Sequence, residues 1–167
     1  IGPPGPELQG GRCHGRLLAA LGGEVTAKGL LSLSSQTLRA VGLSASKAAS
    51  MQDLATKMLN GSVVLYPAAL RGRSDDEIVA SVATVRGIGR WTAEMYLMFE
   101  LRRLDVWPVD DLGVRQGYGL AWGIDPPPVA KELAPLGDPF RPYRSVVARY
   151  CWEAVALFRG GTDPRLR

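Results

Sequence analysis

Val85-Arg86-Gly87-Ile88-Gly89-Arg90-Trp91-Thr92-Ala93-Glu94, followed downstream by Pro108-Val109-Asp110-Asp111-Leu112, is the stretch whose reading decides the fold. Gly87 and Gly89 permit a tight turn and leave backbone N–H groups unshielded. The residues from Arg90 onward favour a helix. A helix start carries about half a positive charge and several unpaired N–H donors. A Gly-x-Gly turn that opens a helix is therefore a site for one phosphate, held by backbone rather than by sequence. The second segment puts a carboxylate at the start of another helix. Read locally, the glycines are an ordinary turn, and Asp110 and Asp111 are an N-cap and a first-turn acid.

Outward from this motif the pattern is all-α. A helix from about Arg12 to Leu21 closes at Gly22-Gly23. Thr26 caps a short helix to Leu31, and Ser35 another to Val41, stopped by Gly42. Ser44 caps a longer helix to about Leu59, with Ala48, Met51, Leu54, Ala55 and Met58 at helical spacing. Ser74-Asp75-Asp76-Glu77 is a capping box before an apolar run. Helices follow over about 90–101, from Asp110 or Asp111 to Ala121, after a break at Pro126 to Pro128 as far as about Leu136, and over about 142–158. Val63-Val64-Leu65 is β-prone, yet nothing reads firmly as a strand. The Gly/Pro-rich opening, residues 1–11, is expected to be irregular, residues 12–159 to be one helical domain without an internal boundary, and residues 160–167 a loose tail.

The chain has 167 residues, 46% hydrophobic and 22% charged, enough for a packed core. A net charge of +4 and a pI of about 9.3 suit a polyanionic partner without demanding one. Two cysteines, Cys13 and Cys151, cannot hold a four-thiolate cluster and imply no disulfide framework. No apolar run approaches the roughly 18 residues of a membrane span, and no secretory signal is evident. A cytoplasmic protein, nucleoid-associated if bacterial, without a membrane partner is expected. His14 lies outside every motif and reads as a surface residue, and Lys47 and Arg71 to Arg73 read as solvated, with phosphate contact as the alternative.

The ordered pair of motifs, with Arg141-Pro142-Tyr143-Arg144-Ser145 further on, resembles the helix-hairpin-helix DNA glycosylases, and within them the AlkA type, the 3-methyladenine DNA glycosylase II family. The resemblance runs from about Gly15 to Arg159. It implies a glycosylase-type helical bundle acting on double-stranded DNA that carries a damaged base, as a monomer. It places DNA backbone binding on Gly87, Ile88, Gly89, Arg90 and Thr92, and catalysis on Asp111, leaving Asp110 capping duty at most. Trp91, Met95 and Tyr143 fall on the base pocket. The backbone carbonyls of Arg86 and Ile88 would hold a monovalent cation, Na+ or K+; no other cofactor is implied.

The implied reaction is hydrolysis of the N-glycosidic bond of an alkylated purine such as 3-methyladenine or 7-methylguanine, leaving an abasic site. Relatives that also cut the backbone carry a lysine where this chain has Trp91, so no lyase step is expected. The chain departs from the family in three ways. Met95 stands where a pocket tyrosine is usual, with Tyr96 next. The small N-terminal β-domain of long members has no counterpart. The Gly/Pro-rich opening replaces two helices with a Gln-Gln-x-Ser-type motif, so a shortened or altered copy is expected. A catalytically inactive DNA-binding remnant is the rival reading. A generic helical interaction domain would leave the three motifs unexplained.

Overall fold

The computed structural model describes residues 9–160, and the ends beyond them, including most of the expected irregular opening and the expected tail, lie outside the described residues. None of the described residues is in a strand. The chain falls into two compact units, one ending at Gly89 and one beginning at Arg90. The sequence shows no boundary there because the division falls in a tight Gly-Ile-Gly turn rather than in a polar linker.

The first unit contains α1 (Gln9–Ala20), α2 (Ala27–Ser32), α3 (Ser35–Ala40), α4 (Ala45–Leu59), α5 (Pro67–Leu70) and α6 (Asp75–Val82). Serine and threonine set the starts. Thr26, Ser34, Ser44 and Ser74 are extended residues whose hydroxyls accept the N–H three positions on. Ser74 and Glu77 close the capping box in both directions. Both α2 and α3 pack on α4. Leu17, Leu30, Leu38, Val41, Ala48 and Ala55 form the buried cluster between them. A fully buried leucine such as Leu38 contributes about 1.5–3 kcal/mol.

Several boundaries move from their sequence positions. Helix α1 begins at Gln9, so Gly10 and Gly11 are helical rather than irregular. Each glycine costs about 1 kcal/mol there, but the helix is carried by packing of Leu17 rather than by propensity. The cap of α3 is Ser34, not Ser35. Pro67 at the first helical position starts the unforeseen α5. Val63 is buried in a loop and donates its N–H to the Lys57 carbonyl, so its β-propensity finds no ladder.

The second unit contains α7 (Arg90–Phe99), α8 (Leu112–Trp122), α9 (Ala130–Leu136), a 3-10 turn (Asp138–Phe140) and α10 (Arg144–Gly160). Gly160 thus closes a helix rather than opening a tail, and α10 starts two residues later than Pro142. Helices α8 and α10 pack closely. Gly117 of α8 lies so near the carbonyl of Cys151 that an added Cβ would overlap it. Cys151 is fully buried, and burial pushes its thiol up to about 12. Trp107 packs edge-on to Tyr118 and donates its indole N–H to the Leu133 carbonyl (3.0 Å).

Candidate functional site

In the first unit the approach to the Gly-Ile-Gly turn is tied to α4. Asp53 accepts the backbone N–H of Arg86 (2.7 Å) and the ammonium of Lys57 (2.9 Å), and Lys57 also donates to the Thr84 carbonyl. Hydrogen bonding by Lys57 holds the Asp53 carboxyl below its ordinary range. Ile88 N–H closes on the Val85 carbonyl (3.0 Å), and Gly87 sits at φ 73°. A side chain at Gly87 would be strained by that φ and would meet the Ser50 hydroxyl. The turn therefore requires glycine there. Asp53 and Lys57 are contributors that no sequence pattern around the turn reveals.

The second unit gathers Trp91, Asp111 and Trp152. Asp111 is itself the N-cap of α8, accepting Val114 N–H at Oδ1 (2.8 Å). This corrects the division of labour expected from the resemblance: capping falls to Asp111, while Asp110 is exposed. The reason is the turn before it, where Asp111 N–H bonds the Pro108 carbonyl and brings residue 111, not 110, to the helix mouth. The Asp111 carboxylate also receives the indole N–H of Trp91 at Oδ2 (2.6 Å) and that of Trp152 at Oδ1 (2.9 Å). Burial pushes its pKa up, but the donors of Trp152, Trp91, Val114 and Gly113 outweigh burial and hold it below the ordinary carboxylate range. Asp111 is therefore a half-buried charge kept ionised by its hydrogen-bond donors. Their stabilising contribution is complete above the ordinary carboxyl pKa and is lost as pH falls through the lowered one.

The remaining candidates are placed less tightly. Trp91 keeps about half its surface exposed, at 47%. Met95 is half-buried one turn further along α7. Tyr143 is exposed just before α10, its N–H on the Phe140 carbonyl (2.7 Å), and no polar contact joins it to Asp111 among the described residues. Thr92 is exposed, and Arg90 donates to Glu94 (2.9 Å).

Arg144 and Ser145, beside Tyr143, have a different task. Arg144 bonds both oxygens of Asp105 (2.7 and 3.0 Å) and its carbonyl (2.8 Å). Buried Ser145 accepts Val106 N–H and donates to the Arg103 carbonyl. Together they clamp the link that delivers Asp111. The Arg144 hydrogen bond holds Asp105 below its usual range.

Glu94, also in this unit, is only 3% exposed, and its Oε2 has no partner among the described residues. Burial pushes its pKa up; Arg90 opposes this, and the charges of Asp110 and Asp111 add to it. The fold thus favours the protonated form, and its contribution falls as pH rises from the ordinary value of 4.5 through the raised one. Glu94→Gln should remove that loss. The denaturant-midpoint difference between variant and wild type should grow in the variant's favour as pH rises above about 4.5. A difference independent of pH would refute it.

No family model matches the chain. An alkylbase DNA glycosidase-like protein of Schizosaccharomyces pombe is 31% identical over 136 residues, 81% of this chain and 63% of that protein. A DNA-3-methyladenine glycosidase structure from Bacillus halodurans superposes with a TM-score of 0.81 at 29% identity, covering 89% of this chain and 68% of the other. The S. pombe 3-methyladenine DNA glycosylase in complex with abasic DNA gives a TM-score of 0.76 at 28% identity, over 85% and 69%. The chain belongs to the helix-hairpin-helix DNA glycosylase superfamily. This glycosylase-superfamily chain spans 63% of the length of the first of those relatives. No helix among its described residues is long and apolar enough to cross a membrane.

Proposed function

We propose that this chain is a base-excision DNA glycosylase that hydrolyses the N-glycosidic bond of alkylated purines in duplex DNA. The observation that carries the reading is Asp111, a half-buried carboxylate held ionised by Trp91, Trp152 and Val114. The partner follows from the relatives' names and from the abasic DNA held by one of them. A damaged base must leave the stack to be reached. N-alkylation already makes it a positively charged leaving group. Cleavage then leaves a sugar cation, which a fixed carboxylate in a water-poor site stabilises. The exposed face of Trp91, with Met95 and Tyr143, would receive the base by stacking and cation–π attraction. The turn at Gly87 to Gly89, with Ile88, Arg90 and Thr92, would hold one backbone phosphate. Uncharged carbonyl oxygens of Arg86 and Ile88 suit Na+ or K+ there, which would add positive charge beside that phosphate.

The enzyme would be monofunctional and act as a monomer on DNA. Trp91 occupies the position where a lyase would need an amine. Lys57 is engaged by Asp53 and the Thr84 carbonyl, which leaves it poorly suited to attack. On methylated duplex DNA the protein should release free methylpurines and leave sites that break only on alkali or heat. Borohydride should trap no protein–DNA adduct. Strand breaks without alkali, or a trapped adduct, would overturn the monofunctional reading. Duplex binding with no base release would point to an inactive DNA-binding member instead.

A further inference from the structure

A cavity of about 500 Å³ opens on the second unit between the end of α7 and the start of α10. Phe99, Leu104 and Val146 give it an apolar wall, and Arg102, Arg103 and Arg149 give it a cationic one. No carboxylate pairs with Arg102 or Arg149 among the described residues. The guanidinium of Arg149 lies over the Phe99 ring, 5.3 Å from its centroid. Phe99 stacks on Trp152 (5.8 Å, 16°), and Trp152 donates to Asp111. The cavity is thus joined to the Asp111 carboxylate by one line of contacts: Arg149, Phe99, Trp152, Asp111.

Arg102 adds an independent observation. Its φ of 54° makes it the only non-glycine residue with positive φ among the described residues. Glycine would take that conformation without strain. Backbone strain of this kind concentrates where a ligand is gripped. Here it sits on an arginine at the cavity edge.

We infer that this cavity is a second DNA-phosphate site, taking a sugar-phosphate unit of the strand that carries the damaged base. Guanidinium groups hold the phosphate, and the apolar wall covers the sugar. A cluster of acidic side chains would leave the wall of Phe99, Leu104 and Val146 without a partner, so a sugar-phosphate fits better. The inference rests on the DNA-directed reading above.

The test measures binding of the full chain to a short duplex containing a tetrahydrofuran abasic-site analogue, by fluorescence anisotropy over a salt series. Arg102→Gly and Arg149→Gln should each weaken binding by about tenfold and lower the salt slope by about 0.9. Arg102→Gly should at the same time raise the thermal midpoint, because the strain is gone. A neutral methylphosphonate placed at the contacted phosphate should weaken the wild type more than either variant. Unchanged binding in both variants, with a wild type that binds duplex, would overturn this assignment alone. A fall in thermal midpoint that accounts for weaker binding in Arg102→Gly would make its role structural and overturn it too. Deoxyadenosine monophosphate protecting the wild type as well as the duplex does would put a free nucleotide in the cavity instead. A wild type without duplex affinity would overturn the DNA-directed reading itself.

Discussion

Asp111→Asn is expected to lower base release by at least about 10²–10³-fold, the scale on which a preorganised charge partner of a transition state acts, while the protein stays folded. The variant separates two tasks that one carboxylate performs. Asparagine is as good an N-cap as aspartate, so its carbonyl can keep the Val114 N–H and the Trp152 indole at the Oδ1 position. The amide nitrogen then faces the Trp91 N–H, donor against donor. Trp91 is half exposed and can turn that group to water, so the stability loss should be about 1 kcal/mol. Asp110→Asn, on an exposed residue, should leave both properties near wild type. Base release from methylated duplex and thermal melts of both variants decide the matter. Retained release in Asp111→Asn, or equal loss in both, would remove Asp111 from the reaction.

The second large effect is on the fold. Gly117→Ala should cost at least about 3 kcal/mol or prevent folding, because the new methyl would occupy the Cys151 carbonyl and backbone cannot step aside as a side chain can. Helices α8 and α10 would have to separate; Asp111 caps the first and Trp152 lies on the second. Gly113→Ala is the milder comparison. Its methyl would press on the edge of the Trp152 ring at 2.8 Å, which a small ring movement relieves. Urea unfolding should rank the two clearly, and a Gly117→Ala protein as stable as wild type would show that the close approach is not needed.

Sequence carries the parts of this site that are written locally. The Gly-x-Gly turn, the helix it opens and the acid at the mouth of α8 each follow from backbone chemistry within a few residues. Ser74 with Glu77, and Gly42 at φ 103°, are legible for the same reason. Partners brought from afar are not. Trp152 lies 41 residues from Asp111 in sequence and looks like any tryptophan on a helix. Asp53 meets Arg86 across 33 residues, and Arg144 meets Asp105 across 39. Arg144 and Ser145 are visible as a motif, yet their task, clamping the link to Asp111, belongs to tertiary structure. The choice between Asp110 and Asp111 as cap likewise depends on one hydrogen bond to Pro108, which adjacent aspartates cannot reveal.

The two cysteines turn out to differ in a way that makes the molecule its own reporter. Cys151 is sealed beneath Gly117 with a thiol near 12, so at neutral pH it is almost wholly protonated and out of reach of alkylating reagents. Cys13 is partly exposed on α1. A maleimide dye therefore labels one unit at a single place, and the slow appearance of a second label clocks how often α8 and α10 part.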